Sequence, residues 1–275
     1  MVFIDNASTQ EHSVNISGGT NDITYSLIGS YYSKNGVIIN SAFDRFNTRA
    51  NTTYSKGKLR INGSVGFSYE NMDKSSGGII NQTIKYYPTQ PSLDLDYEGP
   101  IYSQIGDKMN RLNWVLDSFK NTDETVSQRS FVNISANYGI AKGLEANGRI
   151  SLNANNSYRH RFSPYQDIYD QFGNLKSNSA SSRVSMDANR GRKWLFEGGL
   201  RYKKKINNHQ LTFQAIYTLE DQLVDQFYAT RKGVIDNSID VLDGTSIDAE
   251  VGSGFNYRDK QIGTLGRFLY DYNGK

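Results

Sequence analysis

The chain has 275 residues, a net charge of +3 and no cysteine, with 21% of its residues charged. That length holds one large domain or two ordinary ones. Without cysteine there is no disulfide framework and no thiolate metal site. The near balance of acids and bases, with no basic run longer than Lys203-Lys204-Lys205, argues against a nucleic-acid binder.

Two further features favour strands. Proline is scarce at 4 residues, and aromatics reach 12%, with 19 Tyr against 2 Trp. Aromatic side chains fit pleated surfaces, and few prolines interrupt a ladder. Mean hydropathy is −0.62, and no run of about 18 apolar residues exists to make a transmembrane helix. A barrel strand meets lipid only at alternate residues, so a membrane remains open. Met1-Val2-Phe3-Ile4 runs at once into Asp5-Asn6, without the basic start and apolar core of a signal peptide. The expectation is a cytoplasmic protein or a chain whose native start lies upstream.

In chain order, the recurring signal is a period of two. Val14 and Ile16 begin it. Ile23, Tyr25, Leu27, Gly29 and Tyr31 form the next apolar face. Phe46, Thr48, Ala50, Thr52 and Tyr54 then oppose Arg45, Asn47, Arg49 and Asn51. The clearest stretch is Lys58 to Glu70, where Leu59, Ile61, Gly63, Val65, Phe67 and Tyr69 alternate with Lys58, Arg60, Asn62, Ser64, Gly66, Ser68 and Glu70. A helix would spread these residues around its circumference, whereas a strand sorts them onto two faces. The pattern returns from Val132 to Ile140, Leu144 to Ala154, Trp194 to Tyr202, Leu211 to Leu219 and Phe268 to Tyr272. About nine strands are predicted, each of roughly 10–14 residues.

The connections between them differ in length. Short ones fall at Thr20-Asn21-Asp22, Ser55-Lys56-Gly57, Ala141-Lys142-Gly143 and Asn207-Asn208, and long ones at roughly 34–42, 71–126, 159–181 and 225–260. Short turns at one end and long loops at the other characterise an outer-membrane barrel. Within the longest loop, Gly78 to Tyr87 reads as a helix stopped by Pro88, and another hairpin is expected around Gly173-Asn174. A soluble sandwich is the alternative, but its strands run about 5–6 residues. Thirteen residues tilted near 40° rise roughly 33 Å and clear an apolar band of about 25 Å. The polar face also suits a wet lumen, since it carries Arg45, Arg49, Arg60, Arg149 and Arg201, and Tyr31, Tyr54, Tyr69 and Tyr202 at strand ends suit interfacial girdles.

Several strings carry a family resemblance. His12 to Gly19 followed by Ile23 to Tyr31 resembles the strand pair that opens the barrel of SusC/RagA-type TonB-dependent receptors. Asn35-Gly36-Val37-Ile38 with Phe43 to Asn51, then Tyr87-Pro88-Thr89-Gln90-Pro91, Lys142-Gly143-Leu144, and Gly266 to Tyr272 are similar to later signatures of that family, in family order. The resemblance implies an all-β fold: an antiparallel transmembrane β-barrel, incomplete at about nine of about 22 strands, with 1–275 as one partial barrel domain. It implies a place in the outer membrane of a Gram-negative bacterium. It also implies import of oligosaccharides or peptides, a SusD-like surface lipoprotein as partner, and energy from the TonB complex through a plug. The family's signal peptide, plug and TonB box match nothing in this chain, and loop parity predicts at least one strand before His12. A passive porin or adhesin barrel and a soluble carbohydrate-binding β-protein are the rival functions.

No reaction chemistry is expected, hence no enzyme and no cofactor. The three histidines, His12, His160 and His209, have no metal-ligand spacing. Gly63-Ser64-Val65-Gly66 is not a hydrolase elbow, and Lys56-Gly57-Lys58 is not a phosphate loop. Asp94-Leu95-Asp96-Tyr97-Glu98-Gly99 imitates half a calcium loop, but its twelfth position is Ile105 rather than Glu. Tyr86, Tyr87, Tyr97, Tyr102 and Trp114 cluster in the longest outward loop. Their faces suit substrate or partner contact, and equally suit packing of the loop on itself.

Overall fold

The computed structural model describes residues 3, 7–75, 77–84, 101–102, 119–166, 168–169, 172, 174–175, 182–247 and 254–272. The strands in chain order are β1 (Thr9–Gly19), β2 (Ile23–Asn35), β3 (Ala42–Lys56) and β4 (Leu59–Asp73), then α1 (Ile79–Ile84) and β5 (Ile101–Tyr102). They continue with β6 (Thr122–Ala141), β7 (Leu144–Ser163), β8 (Ile168–Tyr169), β9 (Arg183–Ile206), β10 (His209–Lys232) and β11 (Phe255–Tyr272), with a short 3-10 turn at Leu242–Gly244. Nine of these strands form one sheet in the order β1-β2-β3-β4-β6-β7-β9-β10-β11, every neighbouring pair antiparallel. The predicted architecture, all-β and antiparallel with an open barrel wall, is the one observed.

Register shows how the wall is tilted. A line of partners starts at Ile16 and crosses Leu27, Ala50, Val65, Val132, Leu152 and Trp194, then arrives at Asp221 and Lys260. It is apolar across seven strands and charged on the last two, so it climbs out of the apolar zone. The short turns drift the other way. They lie four residues below this line at Ile23, six at Leu59, eight at Leu144 and twelve at Ile206. Eight residues of drift at about 3.4 Å, over six gaps of about 4.8 Å, give a strand tilt of about 43°. Membrane barrels tilt by about 35–45°.

The apolar zone has sharp edges. Outward side chains stay apolar or small from Ile23 to Tyr31, Phe46 to Tyr54, Trp194 to Tyr202 and Leu211 to Leu219, then become Ser33, Asp44, Arg192 and Asp221. Nine to eleven residues at that tilt make a belt roughly 20–25 Å tall. Val14, Val65, Ile134, Ile150, Leu200 and Phe213 on it are each about half exposed, as lipid-facing groups are when no bilayer is counted. Tyr31, Tyr69 and Trp194 edge the belt above, and Tyr54, Tyr138 and Tyr202 edge it below.

Above Tyr31 and Tyr69 the strands continue; β1 and β2, at 11 and 13 residues, keep to the predicted length of about 10–14, and the later strands exceed it. β6 and β7 have 20 residues, and β9 and β10 have 24. The tyrosines therefore mark the belt's margin and not the strand ends. The long connections shrink to 36–41, 74–121, 164–182 and 233–254. The cause is ladder pairing, which carries on into polar sequence such as Thr122–Glu124 opposite His160–Phe162, where alternation gives no signal. The expected helix is present over Ile79–Ile84; 85–87 and Pro88 lie outside the described residues. So does Gly173 of the expected hairpin. Ile168–Tyr169 pairs, in parallel, with Ile101–Tyr102 of the preceding long loop.

The short turns hold where the sequence put them. Gly57 and Gly143 have φ +59° and +82°, which costs an L side chain energy that glycine avoids. A Cβ on Gly143 would also lie 2.1 Å from the Lys203 carbonyl oxygen.

Two outcomes follow from this wall. In the full-length protein, Val65→Arg should impair assembly by roughly 2–4 kcal/mol at mid-bilayer, while Ser64→Arg, facing inward, should be tolerated much better. Heat-modifiable gel migration reads both, and equal damage from the two would reverse the faces. The 275-residue chain alone leaves the outer edges of β1 and β11 unpaired, and an unmet backbone group in lipid costs several kcal/mol. It should give no discrete conductance steps in planar bilayers.

Candidate ligand-facing wall

The inner face is polar because every second residue on the same strands is. Asn51 donates to Ser26 Oγ at 3.1 Å and accepts from Ser64 Oγ at 2.8 Å and from Arg49 Nε at 3.0 Å. Thr53 donates to Asn62 at 3.1 Å, and Asn62 donates to Ser135 at 3.4 Å. These bonds link four strands, β2, β3, β4 and β6, and hold short side chains flat against the wall. Above them Phe131 lies over Gly66, whose added Cβ would stand 2.4 Å from the ring, and the Arg49 guanidinium caps that ring at 5.4 Å. A hollow of about 480 Å³ is lined by this field, with Arg149 at its side.

A second hollow, of about 700 Å³, opens at the upper mouth. Tyr32, Lys34, Phe43, Arg45 and Met72 line it, all on the inward register of β2, β3 and β4. The Arg45 guanidinium sits 5.6 Å from the Tyr32 ring and 5.9 Å from the Phe43 ring, and those rings are 5.9 Å apart at 59°. Arg45 Nε is buried with no hydrogen-bond partner. Two cations beside two aromatic faces can take a carboxylate, an amide or a sugar ring.

Several other inward charges are paired. Arg159 Nε reaches Asp123 at 2.7 Å, Arg161 reaches Asp187 at 2.9 Å, Lys193 reaches Glu220 at 2.6 Å and Arg201 reaches Glu145 at 2.6 Å. They are half-exposed, so each adds little to stability. Of the five inner arginines read from the sequence, Arg45, Arg49 and Arg149 come to the hollows, Arg201 is tied to its neighbour, and Arg60 lines neither hollow. Tyr32, Phe43 and Met72 were not singled out. The available signal was Tyr32 following Tyr31, an aromatic on a face that is otherwise polar.

Of the long-loop aromatics read from the sequence, one falls among the described residues. Tyr86, Tyr87, Tyr97 and Trp114 lie outside the described residues, as do Asp94 to Gly99 of the calcium-like string. Tyr102 is placed by its backbone alone, paired with Tyr169. The base of that loop is anchored at the mouth, where buried Ile79 packs on Ile38, Ile39 and Phe119 and Asn40 donates to the Phe119 carbonyl at 2.9 Å. His160 Nε2 is 2.7 Å from the Asp240 carbonyl, and His209 Nδ1 is 2.6 Å from the Tyr270 hydroxyl. Among the described residues no three His, Asp or Glu side chains gather as a metal site.

A tilted antiparallel wall with an apolar belt outside, polar hollows inside, short turns below and long loops above defines a section of an outer-membrane-type β-barrel. The comparisons with known proteins make that more particular, for the fold is that of part of a TonB-dependent receptor barrel. The structure of the RagAB peptide transporter superposes with a TM-score of 0.71 at 16% identity, covering 97% of this chain and 30% of that one. The RagAB importer in its "closed-closed" state gives 0.72 at 15% identity over 99% of this chain. The unliganded ferric citrate transporter FecA gives 0.55 at 9% identity. In sequence, the chain is 22% identical over 272 residues to TonB-dependent receptor P3 of Formosa agariphila, covering 94% of this chain and 26% of that protein. The chain thus spans about a quarter of its curated relative. No family model matches it. The resemblance to SusC/RagA-type receptors agrees with the RagAB matches.

Arg45→Met keeps bulk but removes the cation from both rings. It should destabilise the full-length barrel by about 1 kcal/mol, read from urea unfolding in detergent micelles, with Arg45→Lys losing less. No change with either substitution would mean that the stacked geometry contributes nothing.

Proposed function

We propose that this chain is the wall of a TonB-dependent importer in the outer membrane of a Gram-negative bacterium. Residues 1–275 form one partial barrel domain of that importer. The observation that carries this reading is the pairing, on the same strands, of a lipid-height apolar belt with inward hollows built for polar ligands. The cargo is an oligosaccharide or a peptide, and the likeness to the RagAB peptide transporter favours the peptide. No step of covalent chemistry is assigned to the chain.

In this reading a SusD-like surface lipoprotein sits over the long-loop end, and the TonB complex acts through a plug inside the barrel. Tyr86, Tyr87, Tyr97, Tyr102 and Trp114 supply substrate or lipoprotein contacts from the long loop, because Tyr and Trp offer large area at small entropic cost. The hollow around Tyr32, Phe43 and Arg45 is the first inner surface that cargo then meets. A passive porin or adhesin barrel would share the belt and lack the coupling to TonB.

The test uses the full-length protein with surface expression confirmed. Deleting 90–115 should weaken co-purification of the lipoprotein or lower uptake. Disrupting the TonB box should abolish uptake while leaving the barrel assembled. Wild-type uptake and co-purification after the deletion would remove the loop from both roles, and uptake independent of TonB would leave a porin.

A further inference from the structure

The lipid-facing side changes character at the upper edge of the belt, and it does so unevenly. Alternation from Trp194, Leu219 and Ile262 carries Arg190, Arg192, Asp221, Asp225, Arg258 and Lys260 onto the same outward face of β9, β10 and β11. Asp221 and Arg258 neutralise each other, with Arg258 Nε at 3.1 Å and Nη2 at 2.6 Å from the carboxylate, while Asp225 accepts from Asn256 and keeps its charge. Arg190, Arg192 and Lys260 are exposed; Asp225 stands opposite Arg190 and Asp221 opposite Lys260 in register, yet none of the three cations makes a close ion pair among the described residues, and Arg190, Arg192, Arg258 and Lys260 outnumber the two carboxylates.

The patch is local. At the same edge of the belt, β3, β4 and β6 carry Asp44, Asp73 and Glu124 on their outward side. Immediately above the basic patch is a groove of about 380 Å³, with Arg190 and Asp225 on its rim and Val126, Tyr158, Ala188 and Phe227 in its wall. Phe227 is 52% exposed there, above the charged row and clear of the belt. Above it the segment 233–247 folds down over the same outward face. Val234 and Leu242 pack on Phe162 and Val184, and the Asp240 carbonyl meets His160. Ser238 bonds the Asp236 carboxylate twice at 2.8 Å and holds it below the usual carboxylate range.

Cations in this position serve neither the lumen nor a plug, because they point away from both. What lies beside them in a membrane is the headgroup layer of the leaflet on the long-loop side. We propose that Arg190, Arg192 and Lys260 bind the phosphate of a lipid in that leaflet, with the groove above them receiving the rest of its headgroup. Arginine forks match phosphate oxygens two at a time, and basic residues at a bilayer margin are drawn to anionic lipid. The inference rests on the membrane-wall reading, which the Val65→Arg and Ser64→Arg pair tests separately.

The experiment measures lipid retained by the full-length protein in maltoside detergent, by native mass spectrometry. The probes are dioleoyl phosphatidic acid, dioleoylglycerol of the same chains, and inorganic phosphate. Wild-type protein should retain the phosphatidic acid about tenfold over the diacylglycerol. Arg190→Gln/Arg192→Gln/Lys260→Gln should erase that preference, and Arg192→Gln alone should reduce it roughly threefold. Lys58→Gln/Lys142→Gln/Lys205→Gln, with equal loss of charge at the short-turn end, should keep it. Heat-modifiable migration confirms that each variant is folded, and the single variant carries the test if the triple one is not. Undiminished preference in the folded basic-patch variants would overturn the proposal. So would equal retention of diacylglycerol, or displacement by millimolar inorganic phosphate, which would mark a site for soluble anions.

Discussion

In hydrocarbon a backbone amide has no water to turn to, and the rest of this structure depends on that constraint. Each N–H and C=O at membrane depth has to find its partner on a neighbouring strand. The nine-stranded ladder does this without a break, apart from the bulge between Gly139 and Ala141 beside a short turn. Once strands are obligatory, the rest is geometry. Side chains alternate, so one face meets lipid and the other meets the lumen. Twist and stagger then tilt the strands, and the belt of outward apolar residues steps down the register from Tyr31 on β2 to Leu219 on β10.

The same constraint explains why the inner wall can be so polar. A soluble sheet buries one face in a core and wets the other. Here the buried core is nearly absent: Ile79, Phe162, Val184, Ala229 and Val234 are the buried apolar residues among those described, and none lies in the belt. Lipid takes the place of a core. The inward face is free to carry Asn, Ser, Thr and Arg, whose mutual bonds keep it flat and leave hollows in which Arg45 retains unused donor capacity.

Above the belt, water returns and the rules relax. Strands extend well past the lipid because ladder bonds are as good in water, and outward positions become charged or are covered by chain. The segment 233–247 and the base of the long loop each bring their own small apolar cluster. Those clusters hold the extracellular end in shape without extending the belt.

The sequence by itself determined the strands at membrane depth, their faces and the short turns. Lipid forces strict alternation on Leu59 to Tyr69 or Leu211 to Leu219, and left-handed backbone selects Gly57 and Gly143. It also placed the arginines on the inner face. It did not determine how far β6, β7, β9 and β10 continue, because outside the lipid no solvent contrast distinguishes the two sides of a strand. Nor did it bring Tyr32, Phe43 and Arg45 together, or collect Arg190, Arg192 and Lys260 on one outward patch. Those groupings depend on which residues stand opposite one another across β2 and β3, or across β9, β10 and β11. Register is a property of paired strands, and only the tertiary structure decides it.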